Sequence, residues 1–397
     1  MPLNQQHRWK VLAAGVGANV SFSCVVGGVP ATAVYLRNSY QLSNSELGLA
    51  LGILGLGIAV SEIPWGLLTD RWGDRPVLLT GLLSAALSLL LLAAFAGHAP
   101  TALGLCLGLF ATGVLGSSVN GASGRAIMLW FQERERGLAM SIRQTAVPSG
   151  YALGAIVLPW LAHTYGFSAV FAAAAALCLL CSGLVWRWIH EPEIAQAKPA
   201  LKRVSPLRDL NVWRAVLAIS LLCAPQFTLV TYAVVFFHDG VGLSVATASL
   251  ALAVIQAGAI VGRLWSGHWT DQRNNRPTFL KACALFSAAA FLGLSIASGV
   301  LPMPSALASV VLPVVLIVAG TLVSIWHGVA YAELATLAGA QRSGTAIAMG
   351  NSGAFLGLFL APLVASAAVS QWGWGALWAL CALCALVSAL LFAVQNR

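Results

Sequence analysis

Glu62, Arg143, Arg263 and Glu333 are ionisable residues set inside long apolar runs, and His327 shares a run with Glu333. In a bilayer such groups are costly, so they face a partner or a pathway. A planar guanidinium holds a carboxylate through two parallel hydrogen bonds. Arg263 lies eight residues before Asp271, which at helical rise is ~12 Å in from the loop. Arg143 lies seven residues past Arg136, ~10 Å in. Both are candidates for binding a small organic anion, and an internal ion pair is the plainer alternative, for Arg143 with Glu333. Glu62 and His327 are candidates for carrying a proton: a carboxyl shut away from water can exchange one, and imidazole titrates near neutrality. Glu62 can instead pair with Arg263. His327 also suits substrate binding, and Glu333, nearer the charged loops, suits gating. Gln144, Asn19, Gln226 and Tyr232 offer neutral polar contacts to the same substrate.

These residues must be positioned by membrane helices. Hydrophobic residues make up 59% of the chain and charged residues 8%, against about 25% charged in a soluble domain. Twelve apolar runs are legible: 11–36, 47–69, 77–97, 101–128, 137–162, 167–187, 212–237, 244–268, 278–299, 304–337, 344–369 and 373–394. They are too long for barrel strands, and helices are then the way to satisfy the backbone in lipid. The expected fold is an all-α membrane protein. A signal peptide cleaved near Ala31-Thr32-Ala33 competes for the first run, but eleven similar runs follow it, which favours a retained helix. Cys178-x-x-Cys181 and Cys381-x-x-Cys384 lack zinc-spaced histidines and read as small hydrophobes between helices.

The formal charge of +9 has a topological cause. Arg8, Lys10, Arg71, Arg75, Arg134, Arg136, Lys198, Lys202, Arg203, Arg208, Arg273, Arg276, Arg342 and Arg397 fall on one side of the membrane, and Arg37 alone in the opposite loops. By the positive-inside rule the first side is cytoplasmic, with both termini. No nucleic-acid partner is needed to explain the charge. Arg125, Arg187, Arg214 and Lys281 at span ends read as snorkelling side chains.

The chain also repeats itself. Trp65-Gly66-Leu67-Leu68-Thr69-Asp70-Arg71-Trp72-Gly73-Asp74-Arg75-Pro76 returns, degraded, at 266–277, so that Asp70 reappears 201 positions on as Asp271. Further on the offset becomes 207: Gly137 and Gly150 match Gly344 and Gly357, and Asn120-Gly121 matches His327-Gly328. A half-length echo predicts two homologous units: a six-helix half over 1–187, a proline-bearing cytoplasmic linker over 188–211, and a second six-helix half over 212–397.

Gly66-x-x-x-Asp70-Arg71-x-Gly73-x-Arg75 after the second span resembles the signature of the major facilitator superfamily. Its partial copy, with Gly267, Asp271 and Arg276, sits after the eighth span. The resemblance implies two pseudo-symmetric bundles that rock about a central site. Together with the start of span eleven near Gly344, whose free N–H groups favour a carboxylate, it makes Asp70 a latch between the halves. By symmetry Asp271 meets the start of span five near Gly137. In the copy Asn274 replaces the second glycine and Gln272 the first arginine, which is expected to weaken that latch. Trp130-Phe131, Arg136-Gly137-Leu138-Ala139-Met140 and Arg143-Gln144-Thr145-Ala146-Val147-Pro148-Ser149-Gly150 are similar to bacterial facilitators of the cyanate and nitroimidazole type. Gly262-Arg263-x-x-x-Gly267-x-x-x-Asp271 resembles the oxalate/formate antiporter and monocarboxylate transporter pattern, which implies that Arg263 binds a substrate carboxylate.

No hydrolytic triad, phosphate loop or metal cluster is legible, so the chain reads as no enzyme, with no cofactor and with transport driven by an ion gradient. The expectation is a monomeric secondary transporter of the bacterial inner membrane. It moves a small, monocarboxylate-like organic anion with a proton by alternating access. Two rivals stand: proton-driven efflux of amphipathic drugs, which has little need of buried arginine, and a non-transporting membrane sensor, which needs a signalling domain beyond the last span.

Overall fold

The computed structural model describes residues 5–98, 101–190, 205–302 and 305–394, and no strand occurs among them. Most of the expected linker, with Lys198, Lys202 and Arg203, lies outside the described residues, as does Arg397. The helices in order are α1 (Gln5–Ala31), α2 (Ala33–Tyr40), α3 (Asn44–Trp72), α4 (Asp74–His98), α5 (Ala102–Gly116), α6 (Ser118–Trp130), α7 (Arg136–Gln144) and α8 (Ala146–Trp188). After the gap come α9 (Leu210–Val235), α10 (Val245–Arg273), α11 (Arg276–Val300), α12 (Ala308–Leu322), α13 (His327–Ala338) and α14 (Ser343–Val394).

Eleven helical stretches of the described residues are long and apolar enough to cross a membrane. One of them, 133–188, has 56 residues, or ~84 Å of helix against a hydrocarbon core of ~30 Å. It breaks at Gly166 (φ 76°, ψ −178°) and makes two crossings. The fold is therefore twelve transmembrane helices. Three expected runs are interrupted: 101–128 at Ser117, 137–162 at Thr145, and 304–337 over 323–326. The first run extends back to Gln5 and ends at Ala31, one residue past Pro30, before the short α2.

Duplication is written into the backbone. Gly373, 207 positions after Gly166, has the same conformation (φ 79°, ψ −179°). Ser43 and Ser244 cap α3 and α10 alike, each hydroxyl accepting the N–H three residues on. Gly73 (φ 90°) is matched by Asn274 (φ 49°). Asparagine tolerates the left-handed region better than most residues, so the departure from the motif keeps a positive φ where the chain turns.

Packing follows the same plan. α1 lies against α8 and α4 against α8; in the second set α9 and α11 lie against α14. The two sets meet where α3 and α6 pack on α14, and where α10 and α13 pack on α7. Phe22, Leu82 and Phe171 of the first set and Phe236, Phe291 and Trp378 of the second belong to one continuous apolar core. Leu87, Phe95, Ile156, Phe286 and Leu390 point outward and are exposed, as suits a surface bathed in lipid. All eight cysteines are free.

A Cβ at Gly166 or Gly373 would meet nothing within 4 Å, so any penalty there comes from the backbone alone. Gly166→Ala and Gly373→Ala should each cost about 1–3 kcal/mol. Gly183→Ala is the control, because that glycine sits in regular helix with equally open space and the change should be neutral or stabilising by up to ~1 kcal/mol. Unfolding in detergent, followed by tryptophan fluorescence, reads the difference; equal midpoints for all three would refute it.

Candidate functional site

Two carboxylates close one end of the molecule. Asp70, at the end of α3, accepts from the N–H groups of Gly344 (3.0 Å) and Thr345 (2.9 Å), and from the Thr345 hydroxyl. Asp271, at the end of α10, accepts from the N–H groups of Gly137 (3.0 Å) and Leu138 (2.7 Å). Each therefore caps the first turn of a helix from the other set, where unpaired N–H groups and the helix dipole favour negative charge. Close approach requires glycine. A Cβ on Gly66 would lie 2.6 Å from the Ala348 Cβ, and one on Gly267 would lie 2.6 Å from the Gly137 carbonyl oxygen. The second latch forms despite its degraded motif, and there Arg276 donates to Asp271 at 2.8 Å and to the Glu133 carbonyl.

The other motif arginines behave differently. Arg71 is exposed at the end of α3. Arg75 donates to the Trp186 carbonyl (2.9 Å) and lies over that indole, so it ties two helices of one set together. Arg125 does not snorkel. It is buried, bonded to Asp74 at 2.9 Å and 3.5 Å from Asp70.

Eight residues inward from each latch sits a charge. Glu62, fully buried, accepts from Asn120 Nδ2 (2.6 Å) on α6 and from Asn351 Nδ2 (3.3 Å) on α14. Asn19 donates to Asn120 Oδ1 (3.2 Å), and Ser23 donates to Asn19 Oδ1. Arg263, 4% exposed, donates to the carbonyls of Ser324 (2.8 Å) and Gln144 (2.8 Å), and its Nη2 lies 3.4 Å from His327 Nδ1. Glu62 and Arg263 are equivalent at offset 201; Asn120 and His327, and likewise Asn351 and Gln144, are equivalent at offset 207. One three-part arrangement is thus built twice with inverted charge. The direct Glu62–Arg263 pair considered from sequence does not form, since each has its own partners.

Arg143, 1% exposed, donates to Ser123 Oγ (3.1 Å), to Gln144 Oε1 (3.0 Å) and to the Asn120 carbonyl. It does not pair with Glu333, which is half-buried near Arg276 and Glu133 toward the latch. His327 stacks on Trp326 with centroids 4.0 Å apart, and Nδ1 is 3.2 Å from the Ser324 carbonyl. A protonated imidazole there would face the Arg263 charge at contact distance. Gln226 is buried, with Oε1 lacking a partner. Tyr232 stands edge-on to Trp374 at the far end of α9.

Asn120, Ser123, Ser324, Asn351 and Tyr331 escaped the sequence reading as site residues. Asn351 was legible as the 207-offset equivalent of Gln144. Tyr331 is buried within electrostatic reach of Arg143, Arg263 and Glu62, and a tyrosine among apolar residues carries no such signal.

Residues 15–334 match the model of the Major Facilitator Superfamily. An uncharacterized MFS-type transporter of Mycobacterium tuberculosis is 29% identical over 392 residues, spanning 98% of this chain and 85% of that protein. The probable galactarate/D-glucarate transporter GudP of Escherichia coli is 28% identical over 174 residues, 39% of this chain and 38% of its own length. The solved structure of the proton:xylose symporter XylE, bound to 6-bromo-6-deoxy-D-glucose, aligns with a TM-score of 0.80 at 16% identity, covering 98% of this chain and 95% of the other. The chain belongs to the major facilitator superfamily: it is a multi-pass membrane transporter that works by alternating access, and not an enzyme.

Proposed function

We propose that the protein is a monomeric proton symporter for a small organic anion in the bacterial inner membrane, built from six-helix halves over 1–187 and 212–397. The loop arginines support a cytoplasmic position for the latch end and both termini. With both latches engaged, this conformation is shut toward the cytoplasm. The observation that supports the anion is the pairing of Arg143 and Arg263. Both are buried, and their hydrogen-bond partners are neutral: Ser123, Gln144 and Asn120 for one, Ser324, Gln144 and His327 for the other. Among the described residues neither forms an ion pair. Two desolvated cations set against one carboxylate, Glu62, which lies within electrostatic reach of Arg143 without a salt bridge, favour an anionic cargo.

Charge balance supports the proton. With Glu62 ionised, the two arginines leave the site with one net positive charge. Adding a proton to Glu62 and a monoanion to the arginines leaves the same total. The occluded site then carries one charge whether empty or full, and closing over cargo adds no new Born cost. A second reading is a hydroxylated dicarboxylate, one carboxylate per arginine. The partial match to the galactarate/D-glucarate transporter favours it. Uptake of labelled lactate against labelled D-glucarate in proteoliposomes separates the two.

Arg263→Ala should lower uptake of the accepted acid by about 10- to 100-fold, the loss of a charge-assisted bond, while the protein stays folded in the membrane. Unchanged uptake would remove Arg263 from the binding site. Glu62→Gln keeps a hydrogen-bonding amide but no exchangeable proton. It should abolish proton-driven accumulation and the dependence of uptake on external pH, while substrate exchange across the membrane persists. Accumulation as in wild type would assign the proton elsewhere.

A further inference from the structure

The Gln144 carbonyl reaches Arg263 because of the residue four places on. In a regular helix that carbonyl accepts from the N–H of residue 148, and residue 148 is proline, which has none. α7 ends at Gln144 and α8 begins at Ala146. The Ser149 N–H goes to Thr145, and the carbonyl one residue earlier is left facing the other set of helices. Arg263 Nη1 donates to it at 2.8 Å.

The equivalent place in the second half behaves otherwise. Asn351 lies in the regular helix of α14 that precedes the break at Gly373, and the residue four on is Phe355, which has an N–H. Its carbonyl is available to the helix, and its side-chain amide crosses to Glu62. A carboxylate needs a donor, and a side-chain amide supplies one. A guanidinium needs an acceptor, and the proline releases one from the backbone.

We infer that Pro148 is the positioning residue for Arg263: by withholding its N–H, it leaves the Gln144 carbonyl to hold the guanidinium across the carrier, and so ties α10 to α7 at the centre of the closed state. The tie complements the Asp271 latch on the same pair of helices. Resting on the anion reading above, a carboxylate cargo would compete for the same guanidinium hydrogens, so that binding cargo and releasing the tie become one event.

The test needs no substrate, and so can fail independently of that reading. Spin labels on the 132–135 and 339–342 loops report the latch-end distance in ligand-free protein in nanodiscs. Pro148→Ala and Pro148→Gly both restore the N–H, one favouring helix and the other not. Each should raise the ratio of open to closed latch end by about tenfold, the share of one charge-assisted bond. Arg263→Ala should do the same, and Pro148→Ala combined with Arg263→Ala should add nothing, since both remove one interaction. Additive shifts would overturn the inference. So would a shift with alanine but not glycine, which would make helix straightening the cause, and so would an unchanged ratio in both proline variants.

Discussion

A bilayer gives a buried charge no water to lean on, and that deficit orders the centre of this carrier. Glu62 and Arg263 occupy equivalent places with opposite charge, so equivalent neighbours must present opposite polarity. Asn120 and Asn351 turn amide N–H groups toward the carboxylate. Ser324 and Gln144 turn carbonyls toward the guanidinium. In each case one partner belongs to the charge's own half and the other lies across the interface. Solvation of each charge therefore depends on the halves being together. When they part, Asn351 leaves Glu62 and Gln144 leaves Arg263, and water or cargo must replace them. Conformation and occupancy are coupled by this requirement alone.

The latches set the same pairs of helices at a second height. Asp70 and Glu62 lie eight residues apart on α3, as Asp271 and Arg263 do on α10, a separation of ~12 Å. A helix pair joined at two levels resists sliding and pivots as a body. Gly66 against α14, and Gly267 and Gly328 against α7, let backbones approach until a methyl group would collide. Small residues serve membrane helices in this way because lipid supplies no hydrophobic drive for association. The latch carboxylates are held mainly by backbone N–H groups, so the geometry depends on helix starts more than on particular side chains. This accounts for the tolerance of the second motif to losing its first arginine.

Much of this was legible in the sequence because duplication constrains both copies. The twelve runs and the placing of Asp70 and Asp271 opposite helix starts follow from offsets and residue types. What the offsets could not supply was proximity. Glu62 and Arg263 are related by pseudo-symmetry, which makes them alike in setting and says nothing of contact; they prove to have separate partners. Arg125 looked like a snorkelling side chain because Asp74, which holds it, begins another helix. The helix breaks at Ser117 and over 323–326 carry no proline or glycine at the break itself, and tertiary contacts decide them: Ser61 reaches Ser117 Oγ, and Ser266 and Arg263 take the carbonyls of Ile325 and Ser324.

Inverting one charge between halves has a consequence that two like charges would not. Had Glu62 and Arg263 faced each other, the site would have neutralised itself, and a cargo would have had to break a buried ion pair to enter. Separate neutral partners leave both charges in place at modest cost, because a hydrogen bond to a dipole is easier to exchange than one to a full charge. Arg143 adds a second cation, bonded to the same Asn120 that serves Glu62. A change at Glu62 is thus felt at Arg143 through one shared residue. For a cationic amphipath this centre would be repulsive, and for a neutral one its desolvated guanidiniums would be a cost without return. On the proposed reading, an anion that arrives with a proton gives each buried group a use.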